Sequence, residues 1–119
     1  MTQRASVQRA IVTFVSVLFL ACGGGLASAK SDFKSGRVAE AKDKLVALET
    51  ESRSWSGSRR AQYALYRGLV HHSLGDRDAA AQWLKEAKAI EEQHPRSLSD
   101  DDRTRLDLAL EALGADAAR

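Results

Sequence analysis

The chain has 119 residues, which allows at most one small domain. It carries 18 Lys and Arg against 16 Asp and Glu, and two of the basic residues, Arg4 and Arg9, lie in the first nine positions. The chain from Lys30 onward is therefore neutral, which removes bulk positive charge as an argument for nucleic-acid binding. A single cysteine excludes an internal disulfide framework and a zinc finger.

The first 29 residues have the features of a secretory signal peptide. Two arginines precede an uncharged run over residues 10–21, and Ala27-Ser28-Ala29 forms a small-residue cleavage motif before Lys30. Basic residues stay on the cytoplasmic side while the apolar run enters the bilayer. We therefore predict export and cleavage after Ala29, which gives a periplasmic or secreted protein.

Two alternatives use the same segment. Phe19-Leu20-Ala21-Cys22 is similar to a bacterial lipobox and is followed by three glycines, which predicts a membrane-anchored lipoprotein attached through Cys22. Uncharged residues 10–29 are also about long enough to span a bilayer as an uncleaved anchor. All three routes place the remaining chain outside the cytoplasmic membrane and restrict membrane contact to the N-terminal segment.

Apolar residues at helical spacing predict four helices, and no strand is predicted. Gly75 suits the left-handed end of a helix, while Asp76 and Ser99 suit helix N-caps. The predicted fold is all-α and consists of antiparallel helix hairpins. The four helices are expected at about residues 37–50, 58–74, 77–93 and 100–113.

Gly36, Gly75 and Gly114 recur at an interval of 39 residues, which is typical of helical repeats. A small residue inside the first helix, a Gly-Asp turn and two alanines in the second helix resemble the tetratricopeptide repeat. The residues at these places, with a large apolar residue between the alanines, are Gly68, Gly75-Asp76, Ala80, Leu84 and Ala87.

The resemblance implies about one and a half repeats followed by a capping helix. On this basis residues 1–29 are the signal, residues 30–114 are a tetratricopeptide-repeat-like (TPR-like) domain and residues 115–119 are a short tail. Small residues such as Gly68 let helix axes approach to about 8–10 Å. The alternative is a plain helical bundle with alanine-rich faces.

The resemblance also implies a groove in which a partner peptide lies. The residues at the corresponding positions, which we call the groove residues, are Gln62, Leu65, Leu69, His72 and Ser73. An apolar groove of this kind favours an amphipathic helix or an extended apolar segment. The alternative is that Leu65 and Leu69 are core residues covered by neighbouring helices.

We find no motif for catalysis, metal binding or a cofactor. His71 and His72 are adjacent on a helix and point about 100° apart, and residues 100–102 lack the spaced oxygens and the glycine of a calcium loop. The sequence therefore predicts a non-catalytic interaction module of the bacterial cell envelope, an adaptor or assembly subunit. Its expected partner is a protein or peptide and not nucleic acid; a structural subunit of an envelope complex and a homo-oligomer are alternatives.

Overall fold

The computed structural model describes residues 25–117 of the chain, and side chains as far as residue 115. All regular structure in this range is helical, which confirms the predicted all-α fold class. None of the helices in residues 25–117 is both long and apolar enough to cross a membrane. The helices are α1 Gly25–Lys34, α2 Val38–Ala47, α3 Glu49–Ser52, α4 Gly57–Ser73, α5 Arg77–Gln93 and α6 Asp100–Ala117.

The helix bounds differ from the prediction at three places. Helix α1 was not predicted, because its first half falls in the segment assigned to the signal. The helix predicted at 37–50 is interrupted at Leu48, whose N–H donates to the carbonyl of Leu45 at 3.1 Å and so tightens the last turn of α2. Helix α6 continues to Ala117, so the predicted tail from residue 115 begins as helix.

Two glycines make the tight turns of the fold. Gly36 between α1 and α2 has φ 85°, and Gly75 between α4 and α5 has φ 84°; this left-handed region strains other residues. Asp76 then caps α5, since its carboxylate accepts from the N–H of Ala79 at 3.3 Å. Each glycine therefore lets two consecutive helices pack against each other although only three residues connect them.

Helices α4 and α5 approach each other closely at Gly68. A Cβ atom at this position would lie 2.5 Å from the Leu84 side chain and 3.1 Å from the Leu84 backbone nitrogen. Ala80, Leu84 and Ala87 are fully buried on α5. Gly68 thus lies where the two helices touch, and the two alanines selected from the sequence are buried.

Helix α4 is the central element of the domain. It packs against α1, α2, α5 and α6, and every residue from Tyr63 to His71 is buried. The largest fully buried side chains include Tyr63, Tyr66 and Leu65. Because all faces of α4 are buried over residues 63–71, this helix holds the surrounding helices together. Little of its surface in this stretch is exposed to solvent.

Candidate functional site

The structure does not leave the groove residues on one open face. Leu65 is 0% exposed and Leu69 is 7% exposed, so both are core residues, which corrects the expectation that they line an exposed groove. Gln62 and His72 are half-buried, and Ser73 is exposed. The physical reason is that α1 and α6 both cover α4, and spacing along one helix does not reveal how many neighbours it has.

Hydrogen bonds and one aromatic contact join α4 to the helices α1 and α6 that cover it. Lys30 Nζ in α1 donates to Gln62 Oε1 at 2.9 Å, and the Phe33 ring meets the Tyr66 ring edge-on with centroids 5.8 Å apart. The Tyr66 hydroxyl donates to Asp102 Oδ1 in α6 at 2.8 Å. Burial and the Asp102 carboxylate raise the pKa of Tyr66, so this hydroxyl stays protonated and donating.

Removing the Tyr66 hydroxyl should therefore destabilise the junction of α4 and α6. Both partners of its hydrogen bond are buried, and a hydrogen bond to a charged group contributes roughly 1.5–3 kcal/mol. Tyr66→Phe should lower the free energy of unfolding by about this amount in urea denaturation. A double-mutant cycle with Asp102→Ala should return a coupling energy above about 1 kcal/mol; a value near zero would contradict the assigned contact.

A concave site lies on another side of α4, between α3, α4 and α5. It has a volume of about 230 Å³, and we call it the cleft. Its lining combines charged side chains at the rim with aromatic and small residues below. The lining residues are Glu49, Ser52, Arg53, Arg60, Tyr63, Ala64, Trp83 and Glu86.

Tyr63 and Trp83 form the aromatic wall of the cleft, and neighbouring aromatic and arginine side chains pack against them. The Tyr63 ring meets Trp55 and Trp83 edge-on, with centroids 5.7 and 5.6 Å away. The guanidinium of Arg67 lies over Trp83 at 4.7 Å, and that of Arg59 lies over Trp55 at 4.1 Å. Edge-to-face and cation–π contacts of this kind fix ring orientation, so the wall is preorganised.

Arg67 is a buried residue that joins two side chains of the cleft lining. Its Nη1 donates to Glu49 Oε1 at 2.7 Å and to the Tyr63 hydroxyl at 3.0 Å. That hydroxyl in turn donates to the carbonyl of Leu45 at 2.7 Å. Burial raises the pKa of Tyr63, so its hydroxyl stays protonated at neutral pH. The sequence analysis missed this group, although the spacing of residues 63, 67 and 71 places them on one helix face.

Two arginines and two glutamates form the rim of the cleft, and the buried Arg67 adds a third positive charge behind it. Arg53 lies 3.8 Å from Glu49, and Arg60 lies 3.3 Å from Glu86; both are long, exposed pairs worth about 0–1 kcal/mol. Glu49 is already engaged from below by the buried Arg67 at 2.7 Å. Three arginines thus face two glutamates, and the Arg53 side chain is 72% exposed.

His71 extends the Arg67 network toward the turn after α4. Its Nε2 accepts from Arg67 Nε at 3.3 Å, which requires the neutral imidazole, and its Nδ1 lies 3.8 Å from Asp76. Burial and the positive charges of Arg67 and Lys42 lower the pKa of His71, while Asp76 opposes them. The folded protein therefore holds His71 neutral.

This arrangement predicts a loss of stability at mildly acidic pH. The folded-state pKa lies below the unfolded value of about 6.5, so the unfolded chain takes up the proton first as the pH falls. The stabilisation is complete above pH about 6.5 and is lost as the pH falls through the folded-state pKa. Urea denaturation across this range should show that the free energy of unfolding decreases with falling pH in the wild type and in His72→Gln, and decreases less in His71→Gln. Equal decreases in the two variants would contradict the assignment.

No group of three or more His, Cys, Asp or Glu side chains within residues 25–117 is placed to hold a metal ion. Cys22, the alternative lipidation site, lies outside the described residues. No protein-family model matches the chain, and neither a curated protein nor a solved structure shows significant similarity to it. The functional assignment therefore has to come from the geometry of the chain itself.

Proposed function

We propose that this protein is an exported, TPR-like interaction module without catalytic activity, and that it binds a protein segment in the cleft. The observation that carries the proposal is a preformed concave site of about 230 Å³ with a fixed aromatic wall and exposed arginines at its rim. An assembly subunit or adaptor would use such a site to hold a partner in one orientation.

The helix contacts support the TPR-like arrangement. Helices α1 and α2 form one pair, α4 and α5 form the next, and α6 packs against both members of the second pair. The close contact of Gly68 with Leu84 and the burial of Ala80 and Ala87 agree with the family pattern. In the proposed arrangement the described residues form two helix pairs and a terminal helix, α1 is the first helix of the preceding repeat, and the short α3 lies between the pairs.

The chemistry of the cleft supports binding over catalysis. Its tyrosine is protonated at neutral pH and engaged by Arg67 and Leu45. Its glutamates are paired with arginines. These groups therefore serve as supports and charge partners for a bound segment, and none is poised as a free nucleophile or general base.

Charge and shape together define the partner. Counting the buried Arg67, three arginines and two glutamates surround the cleft, and this balance favours a carboxylate. The half-buried Trp83 beside Tyr63 offers an apolar surface next to it. The weak pairs of Arg53 and Arg60 can open at little cost when a carboxylate replaces the glutamates. The partner is therefore an acidic protein segment that carries an apolar or aromatic side chain adjacent to its acidic group.

The experiment is a capture assay from the envelope fraction with charge-reversed variants. Arg53→Glu/Arg60→Glu should abolish retention of a recurrent stoichiometric partner, while helicity and Tm stay close to wild type because both side chains are exposed. Arg77→Glu/Lys85→Glu changes the net charge equally at exposed positions outside the cleft and should retain the partner. Equal retention by both variants would contradict the cleft assignment.

A second candidate function is that of a structural subunit that is stable only within a larger envelope complex. The small number of repeats favours it, because helical repeat domains usually need three or more units for stability. In that case the isolated domain should melt at low temperature and gain stability when its partner is added. A high Tm of the isolated domain would favour the adaptor instead.

A further inference from the structure

The first turn of α1 belongs to the hydrophobic core. Leu26 is 6% exposed and Ala29 is 0% exposed, and both lie in the same buried cluster as Leu45. Gly25 also packs closely, because a Cβ atom there would lie 3.2 Å from the Leu48 methyl groups. Ser28 Oγ accepts from Lys44 Nζ at 2.7 Å, which joins the same turn to α2.

These residues are the ones that cleavage after Ala29 would remove. The cut would leave only residues 30–34 of the ten-residue α1, fewer than a helix of marginal stability needs in water. The contacts of Lys30 with Gln62 and of Phe33 with Tyr66 depend on that helix. The cut would also leave an unfilled space where Leu26 and Ala29 contact the core.

We propose that the mature protein retains residues 25–29, so that any processing of the N-terminal segment occurs upstream of Gly25. This inference rests on the proposed export and deepens it, since it selects among the three routes. Cleavage before Cys22 or retention of the whole segment leaves α1 complete. Cleavage after Ala29, the first route that the sequence predicts, does not.

The test uses the full chain, exported from its native host with a C-terminal tag. Intact-mass analysis should give a mature N-terminus at or before Gly25, for example a diacylated Cys22 or an uncleaved chain. A folded protein that begins at Lys30 would overturn the inference and leave export standing. An intact chain found in the cytoplasm would support retention of the segment and overturn export, so the two failures are distinguishable.

A pair of substitutions in the same full chain gives an independent readout. Leu26→Ala should lower the Tm of the mature protein by about 10 °C or more, because it removes a buried side chain from the core. Ala27→Ser, at an exposed neighbouring position, should leave the Tm unchanged. If residues 25–29 are removed in the mature protein, both variants will melt like wild type, and the inference fails.

Discussion

Replacing Leu65 and Leu69 by glutamate together should unfold the domain. Leu65 is 0% exposed and Leu69 is 7% exposed, so each new carboxylate would enter the core without a partner. A buried, unpaired charge costs several kcal/mol, and a domain of this size has a total stability of about 5–15 kcal/mol. Far-ultraviolet circular dichroism should show loss of helix at 25 °C.

The control introduces two glutamates at exposed leucines. Leu74 is 48% exposed and Leu108 is 61% exposed, so Leu74→Glu/Leu108→Glu adds the same charge without burying it. This variant should keep its helicity and melt within a few degrees of wild type, since surface substitutions usually change stability by less than about 0.5 kcal/mol each. Wild-type helicity in the Leu65/Leu69 variant would contradict the central position of α4.

Gly68→Leu is the second substitution with a large expected effect. A Cβ atom at position 68 would already lie 2.5 Å from the fully buried Leu84 side chain and 3.1 Å from the Leu84 backbone nitrogen. The larger side chain must push α4 and α5 apart, and overpacking of this kind costs typically about 1–3 kcal/mol and occasionally more. This loss of folding stability should exceed the gain of about 1 kcal/mol that comes from the higher helix propensity of leucine.

Gly114 provides the matched control for this substitution. It lies in α6, and a Cβ atom there would meet nothing within 4 Å. Gly114→Leu should therefore be neutral or stabilise the helix by up to about 1 kcal/mol in urea denaturation. A similar loss in both variants would mean that the cost at position 68 does not come from the contact with α5.

Local patterns in the sequence are sufficient to predict the helices around α4. The apolar spacing from Ala61 to Ile90 and the Gly75-Asp76 turn depend on neighbours within a few residues, and the observed α5 has the predicted bounds 77–93. Helix α1 was missed because Leu26 and Ala29 continue the uncharged run of the signal. One residue pattern fits both a signal and a buried helix, so the sequence alone did not indicate the contacts of α1 with α2 and α4.

The candidate site was harder to predict, because burial is a property of the assembled domain. Leu65 and Leu69 have the same spacing whether they line a groove or a core. Arg67 and His71 are buried in the structure although charged and polar residues are usually exposed. The burial of Arg67 is tolerated because it donates to Glu49, eighteen residues away in sequence, and to the Tyr63 hydroxyl. His71 in turn accepts from Arg67. The sequence analysis therefore placed its candidate groove on α4 at leucines that the fold buries.

Photo-crosslinking in the native envelope tests the binding proposal most directly. A photoreactive amino acid replaces Glu86, which lines the cleft, or the adjacent Lys85, which is exposed outside it. Neighbouring positions on a helix point about 100° apart, so the two probes sample different surfaces of α5. We expect position 86 to yield a protein adduct of one defined mass and position 85 to yield none. An adduct from position 85 alone, or from Ser73 in the predicted groove but not from position 86, would contradict the account.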